Sequence, residues 1–233
     1  MFVKICGITN EEDALFATAL GVDALGFIFA PSPRQVSVER ARDIVKRLPT
    51  DVLPVGVFRN DRREHVVDVA GRVGLHAVQL HGGEPLSEVR WIRERVRFVI
   101  QAFVSGDPAL GAAANSPADV VLVDSPNPGS GKVFDWRLAE GAPGGVRLLI
   151  AGGLTPDNVG DAIHLLRPWG VDVASGVEAA PGRKDPRKLR RFIEVARGAG
   201  TDVEDRLDGA PVDDLADDAV AGHTRPWDWQ LDE

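Results

Sequence analysis

The sequence predicts an α/β fold, a single-domain (β/α)8 TIM barrel over residues 1–200 followed by an acidic C-terminal tail over residues 201–233. Three observations predict it. Short β-branched, apolar runs alternate with amphipathic stretches from the first residue to about 198, the pattern of successive parallel βαβ units. Eight such units fit in roughly 200 residues, the lower end of the size range for a closed eight-stranded barrel. No GxGxxG follows the first strand candidate, so the rival fold, an open doubly wound sheet, lacks its nucleotide-binding turn.

Taken in order, strands are expected at 2–6, 24–29, 53–58, 77–80, 98–103, 120–124, 148–151 and 171–174. Helices are expected near 11–20, 37–48, 61–72, 85–95, 107–114, 135–139, 156–167 and 186–198, the sixth being weak. Thr9-Asn10-Glu11-Glu12 reads as a capping box with Thr9 as N-cap. Thr155-Pro156 reads as an N-cap followed by proline at the first helical position. Ser37 and either Asn60 or Asp61 are candidates to cap the second and third helices.

The 233 residues carry 35 acidic and 27 basic side chains, a net charge of −8, distributed unevenly. The tail holds eleven Asp or Glu against two Arg, so the barrel region is close to neutral. A near-neutral body lacks the basic face that nucleic acid requires. No apolar run approaches the roughly 18 residues of a membrane span, and no signal peptide is expected at the N-terminus. A single cysteine excludes an internal disulfide. The five histidines show no clustered ligand spacing, so no metal is expected. The expectation is a cytoplasmic enzyme, monomer or homodimer, acting on a small molecule. The tail reads as solvated and flexible, although Trp227 and Trp229 favour some docking.

In a parallel barrel the chemistry lies at the C-terminal ends of the strands. Three polar residues stand there: Cys6 ends the first strand, His81 follows the fourth and Asp124 ends the sixth. Cys6, next to Gly7 and ahead of a helix, is either a small buried hydrophobe or a reactive thiol. The helix N-terminus is expected to lower its pKa and make it a proton acceptor. Asp124 is either a turn aspartate or an acid facing the barrel mouth, where partial burial would hold its proton. His81 is equally readable as a pocket-lining or a structural histidine.

Gly152 and Gly153 follow the seventh strand, while Ser175 and Gly176 follow the eighth. Glycines let backbone N–H groups approach an anion, and these two loops form the recurrent phosphate site of such barrels. Arg34 lies in a proline-stiffened loop after strand two, where its guanidinium could grip a carboxylate. Phe2, Lys4 and Cys6 share one face of the first strand. An inward Cys6 therefore implies an inward Lys4, and Asp172 on the neighbouring eighth strand is the expected partner for the buried ammonium.

These segments together resemble the phosphoribosylanthranilate isomerases. The resemblance rests on Lys4-Ile5-Cys6-Gly7-Ile8-Thr9, Ala24-Leu25-Gly26-Phe27, Pro31-Ser32-Pro33-Arg34, Val78-Gln79-Leu80-His81-Gly82 and Gly131-Lys132 with Phe134-Asp135-Trp136. Ala151-Gly152-Gly153-Leu154, Val171 to Glu178, Pro181-Gly182 and Lys184-Asp185 complete it. It spans residues 2 to about 198 and leaves the tail outside.

The resemblance implies an Amadori rearrangement with Cys6 as general base and Asp124 as general acid. It also implies Arg34 on the anthranilate carboxylate and Gly152, Gly153, Ser175 and Gly176 on the phosphate. From their own positions at the strand ends His81 and Asp172 are also expected at the substrate site, and the resemblance implies no cofactor. Two departures stand out: Ala174 replaces a usual serine, and Asn127-Pro128-Gly129-Ser130-Gly131 varies a loop that is commonly Gly-Gly-Ser/Thr-Gly. A related histidine-pathway isomerase would carry aspartate at the end of strand one, and a non-catalytic phosphate-binding barrel would have lost a proton-transfer group. Cys6 and Asp124 speak against both.

Overall fold

The computed structural model describes residues 1–125 and 146–208. Within them, eight parallel strands hydrogen-bond in chain order and close into a barrel, β8 pairing with β1. They are β1 (Phe2–Cys6), β2 (Ala24–Ile28), β3 (Leu53–Phe58), β4 (Ala77–Leu80), β5 (Phe98–Val104), β6 (Val120–Asp124), β7 (Leu148–Ile150) and β8 (Gly170–Val173). The helices on the outside are α1 (Glu11–Ala19), α2 (Val38–Val45), α3 (Arg63–Val73), α4 (Leu86–Arg93), α5 (Val159–Leu166) and α6 (Pro186–Asp208). The expected helix at 107–114 is a 3-10 helix, Pro108–Asn115. The expected short helix at 135–139 lies outside the described residues.

Strand alternation divides the apolar residues into two cores. Val3, Ile5, Leu25, Phe27, Val78, Leu80, Val171 and Val173 face the helices. Phe2, Ala24, Leu53, Val55, Ala77, Phe98, Ile100, Val120, Leu122 and Leu149 fill the barrel interior. Phe2 and Trp169 stack with ring centroids 4.3 Å apart and extend that interior core. The inward parity that buries Phe2, Val120 and Ala77 also turns Cys6, Asp124 and Gln79 inward at the opposite ends of the same strands. One periodicity thus builds the apolar floor and the polar mouth.

Helix starts depart from expectation in three places. Asn10 caps α1, accepting from the Asp13 N–H at 2.8 Å, while the Thr9 hydroxyl donates instead to the Gly182 carbonyl. Asn158 stands at the start of α5 with its side chain spent on the preceding loop, accepting from Thr155 N–H and donating to Gly153 O. Ser37 caps α2 as expected. Neither Asn60 nor Asp61 caps α3, which begins after Arg62. Residues 201–208 continue α6 rather than opening the tail. A hairpin absent from the expected elements, β9 (Glu178–Ala180) and β10 (Arg183–Lys184), folds back over the end of β1.

Candidate active site

At the C-terminal end of the barrel lies a cavity of about 380 Å³. It is lined by Cys6 from β1, Gln79 and His81 from β4 and the loop after it, Asp124 from β6 and Asp172 from β8. Arg34 from the loop after β2, Gly152 and Gly153 after β7 and Ser175 after β8 complete its rim. Of the residues expected at the site, only Gly176 is not a lining residue. It packs behind the rim against the Leu154 carbonyl, so tightly that a Cβ would overlap the oxygen. That contact joins the loops after β7 and β8.

Gly152 adopts φ 85 and Gly153 φ 68, a left-handed pair that L side chains rarely adopt. At Gly152 the constraint is also spatial, since a Cβ would stand 2.6 Å from Asp124 Oδ1. The loop backbone therefore passes directly over the carboxylate.

Lys4 is fully buried inside the barrel, with its ammonium 2.9 Å from Asp172 Oδ2. The pairing follows from the register that sets Lys4 beside Asp172. Burial pulls the ammonium down, but Asp172 and the neighbouring Cys6 outweigh it and hold the charge more firmly than in water. Asp172 Oδ1, by contrast, is buried without a hydrogen-bond partner.

The Cys6 thiol contradicts one expectation. Its ionisation is pushed up, because burial opposes the thiolate more strongly than Lys4 and Lys184 favour it. The helix dipole cannot reverse this. α1 begins only at Glu11, and its first turn carries Glu11, Glu12 and Asp13. The favourable field on the sulfur comes from two buried ammonium groups, not from a helix end.

Arg34 stands at the rim of the cavity with its fork already engaged. Its fork is bidentate to Glu178, Nε to Oε1 at 2.9 Å and Nη2 to Oε2 at 2.8 Å. Two of its five N–H groups are used there, and the others remain for a ligand. Glu178 also accepts from Lys184, whose ammonium donates to the carbonyls of Cys6 at 2.6 Å and Ala174 at 3.2 Å. This buried knot ties the end of β1 to the loop after β8.

Across the cavity, His81 Nε2 lies 3.2 Å from Asp124 Oδ2. Asp124 Oδ1 accepts from the Ser125 N–H at 2.7 Å, and Gln79 Nε2 sits 2.9 Å from His81 Nδ1. Sequence reasoning missed Gln79, Glu178 and Lys184 as site residues. The parity of β4 could have found Gln79, two positions before His81; the other two required the hairpin. Among the described residues, no cluster of three or more His, Cys, Asp or Glu could hold a metal ion. Nor is any of the described helices long and apolar enough to cross a membrane. The quoted loop 127–131 and Phe134-Asp135-Trp136 lie outside the described residues, as do Trp227 and Trp229.

Comparisons of sequence and of fold with known proteins give concordant matches. The model of the N-(5'-phosphoribosyl)anthranilate (PRA) isomerase family matches residues 3–195. An N-(5'-phosphoribosyl)anthranilate isomerase from Thermotoga petrophila is 48% identical over 201 residues, covering 84% of this chain and 98% of the relative. The phosphoribosyl anthranilate isomerase of Thermus thermophilus superposes with a TM-score of 0.80 at 40% identity, over 85% of this chain and 99% of that one. A phosphoribosyl anthranilate isomerase solved with reduced 1-(o-carboxyphenylamino)-1-deoxyribulose 5-phosphate gives 0.76 at 44% identity, again over 85% and 99%.

Proposed function

The chain belongs to the N-(5'-phosphoribosyl)anthranilate isomerase family, and on that premise we propose that it rearranges N-(5-phosphoribosyl)anthranilate to 1-(2-carboxyphenylamino)-1-deoxyribulose 5-phosphate, a step of tryptophan biosynthesis, with Cys6 as base and Asp124 as acid. The observation that carries the roles is the presence of a thiol and a carboxyl group on one cavity, each with charged or polar support of its own.

In this reading Asp124 protonates the furanose ring oxygen, the C1–O bond breaks, and an open-chain Schiff base forms. The carboxylate left behind is held by the Ser125 N–H and by His81. The Cys6 thiolate, with the Lys4 ammonium as counter-charge, removes the proton from C2. The enolamine then tautomerises to the ketone as the catalytic groups recover their starting protonation. The Schiff-base nitrogen is the electron sink, so the chemistry calls for no cofactor.

Gly152, Gly153 and Ser175 receive the phosphate through backbone N–H groups, with Gly176 fixing the second loop against the first. Arg34, oriented by Glu178, uses its remaining N–H groups on the anthranilate carboxylate. Asp172 holds Lys4 in place below the substrate. The enzyme works in the cytoplasm as a monomer or homodimer, on this small phosphorylated substrate alone.

The test is loss of anthranilate-type fluorescence with freshly made substrate. Cys6→Ser and Asp124→Asn are each expected to lower kcat by about 10²–10⁴ while keeping wild-type folding. A variant that turns over at the wild-type rate removes the role assigned to its residue.

A further inference from the structure

We propose that Gln79 is a positioning residue that decides which ring nitrogen of His81 carries the hydrogen, and through His81 whether Asp124 stands loaded or spent. This rests on the reading of Asp124 as the general acid and extends it by one residue that does not touch the reacting atoms.

The geometry is a chain of three side chains. Gln79, 1% exposed, sits on the inward face of β4 with its Nε2 2.9 Å from His81 Nδ1. His81 Nε2 lies 3.2 Å from Asp124 Oδ2. A neutral imidazole has one donor nitrogen and one acceptor, so the partner at Nδ1 dictates the role of Nε2. With the Gln79 amide donating to Nδ1, the hydrogen is on Nε2 and points at Asp124. The carboxylate then accepts from both His81 and the Ser125 N–H, which suits an acid that has given up its proton.

The opposite state is reached by one small movement. Gln79 Oε1 is buried and has no hydrogen-bond partner. Half a turn of the amide about its last bond brings Oε1 to Nδ1. Nδ1 then carries the hydrogen, Nε2 becomes an acceptor, and a protonated Asp124 donates to it. An amide offers a donor and an acceptor of nearly the same shape, so one uncharged side chain serves both proton states. This explains a polar group inside the barrel, where an amide left partly unsatisfied costs stability.

The test combines ring-nitrogen NMR of His81, identified by its loss in His81→Asn, with steady-state kinetics. In the wild-type enzyme His81 should show a single tautomer in each proton state, with the hydrogen on Nε2 when Asp124 is ionised and on Nδ1 when it is protonated, a measurement that depends on no folded variant of Gln79. Gln79→Met keeps the volume but neither donates nor accepts. It should give mixed tautomers and lower kcat about tenfold or more, with KM nearly unchanged. Gln79→Glu only accepts, and should move the hydrogen to Nδ1. The inference is overturned by averaged tautomers in the wild type, by wild-type kcat in Gln79→Met, or by a fall in kcat with the His81 signals unmoved. Inactive Asp124→Asn beside fully active Gln79 variants would sink this inference and leave the acid in place. Active Asp124→Asn would sink the acid itself.

Discussion

One buried lysine lies on the strand that ends in Cys6 and a second reaches its end from the hairpin, and the two are held in different ways. Lys4 lies inside the barrel, 0% exposed, against the single carboxylate of Asp172. Lys184 reaches in from the hairpin, 3% exposed, and spreads its hydrogen bonds over Cys6 O, Ala174 O and Glu178. Burial weakens both ammonium groups. At Lys4 the undivided partner, with Cys6, outweighs burial and the charge is strengthened. At Lys184 burial prevails and the ionisation is lowered, because Glu178 is shared with Arg34, itself a repelling cation. The lesson is a division of labour: Lys4 supplies the larger share of the charge that favours the thiolate, whereas Lys184 adds a smaller share and supplies hydrogen bonds that join two loops.

The largest effect that could break this comparison is expected from Lys4→Met. It leaves Asp172 buried without its cation and should cost about 3–5 kcal/mol in denaturant unfolding. Lys4→Met combined with Asp172→Asn should recover most of that stability and little of the turnover. Normal turnover in the double variant would mean that Lys4 serves the fold alone.

A smaller effect sharpens the other half. Arg34, with Lys184, holds the Glu178 carboxyl below its ordinary range against the opposing influence of burial. A depressed folded pKa contributes stability that is complete above the ordinary carboxylate value and is lost as pH falls through the depressed one. The wild-type Tm should therefore drop in acid, and Glu178→Gln should start about 1–3 kcal/mol less stable with a shallower acid slope. An unchanged slope would show that the knot does not titrate with folding.

Most of the architecture was legible because it follows from period two. Four strands, β1, β3, β4 and β6, have the expected limits, and the Lys4–Asp172 pair followed from parity together with closure of the barrel. What was not legible depended on contacts distant in sequence. Thr9 has the form of an N-cap, but its hydroxyl goes to Gly182, 173 positions away, and Asn10 takes the cap. Asn158 is drawn back onto Gly153, so Thr155 does not start α5. Arg34 could be placed at the mouth from its loop, but not its fork on Glu178, which needed the hairpin. The thiol was misread for the same reason: a strand end ahead of a helix suggests a lowered pKa, and only the packed structure shows that burial prevails.

The central claim is that Cys6 is the proton acceptor, and the most direct measurement is the pH profile of kcat/KM for the wild type beside Cys6→Asp. Because the wild-type base is a buried thiol held above its ordinary value, the rate should climb on the alkaline side as the thiolate forms. With a carboxylate as base, Cys6→Asp should retain partial activity and its rising limb should move to the acid side. Coincident rising limbs in the two enzymes would contradict the account, because the ionisation that limits the rate would then belong to another group.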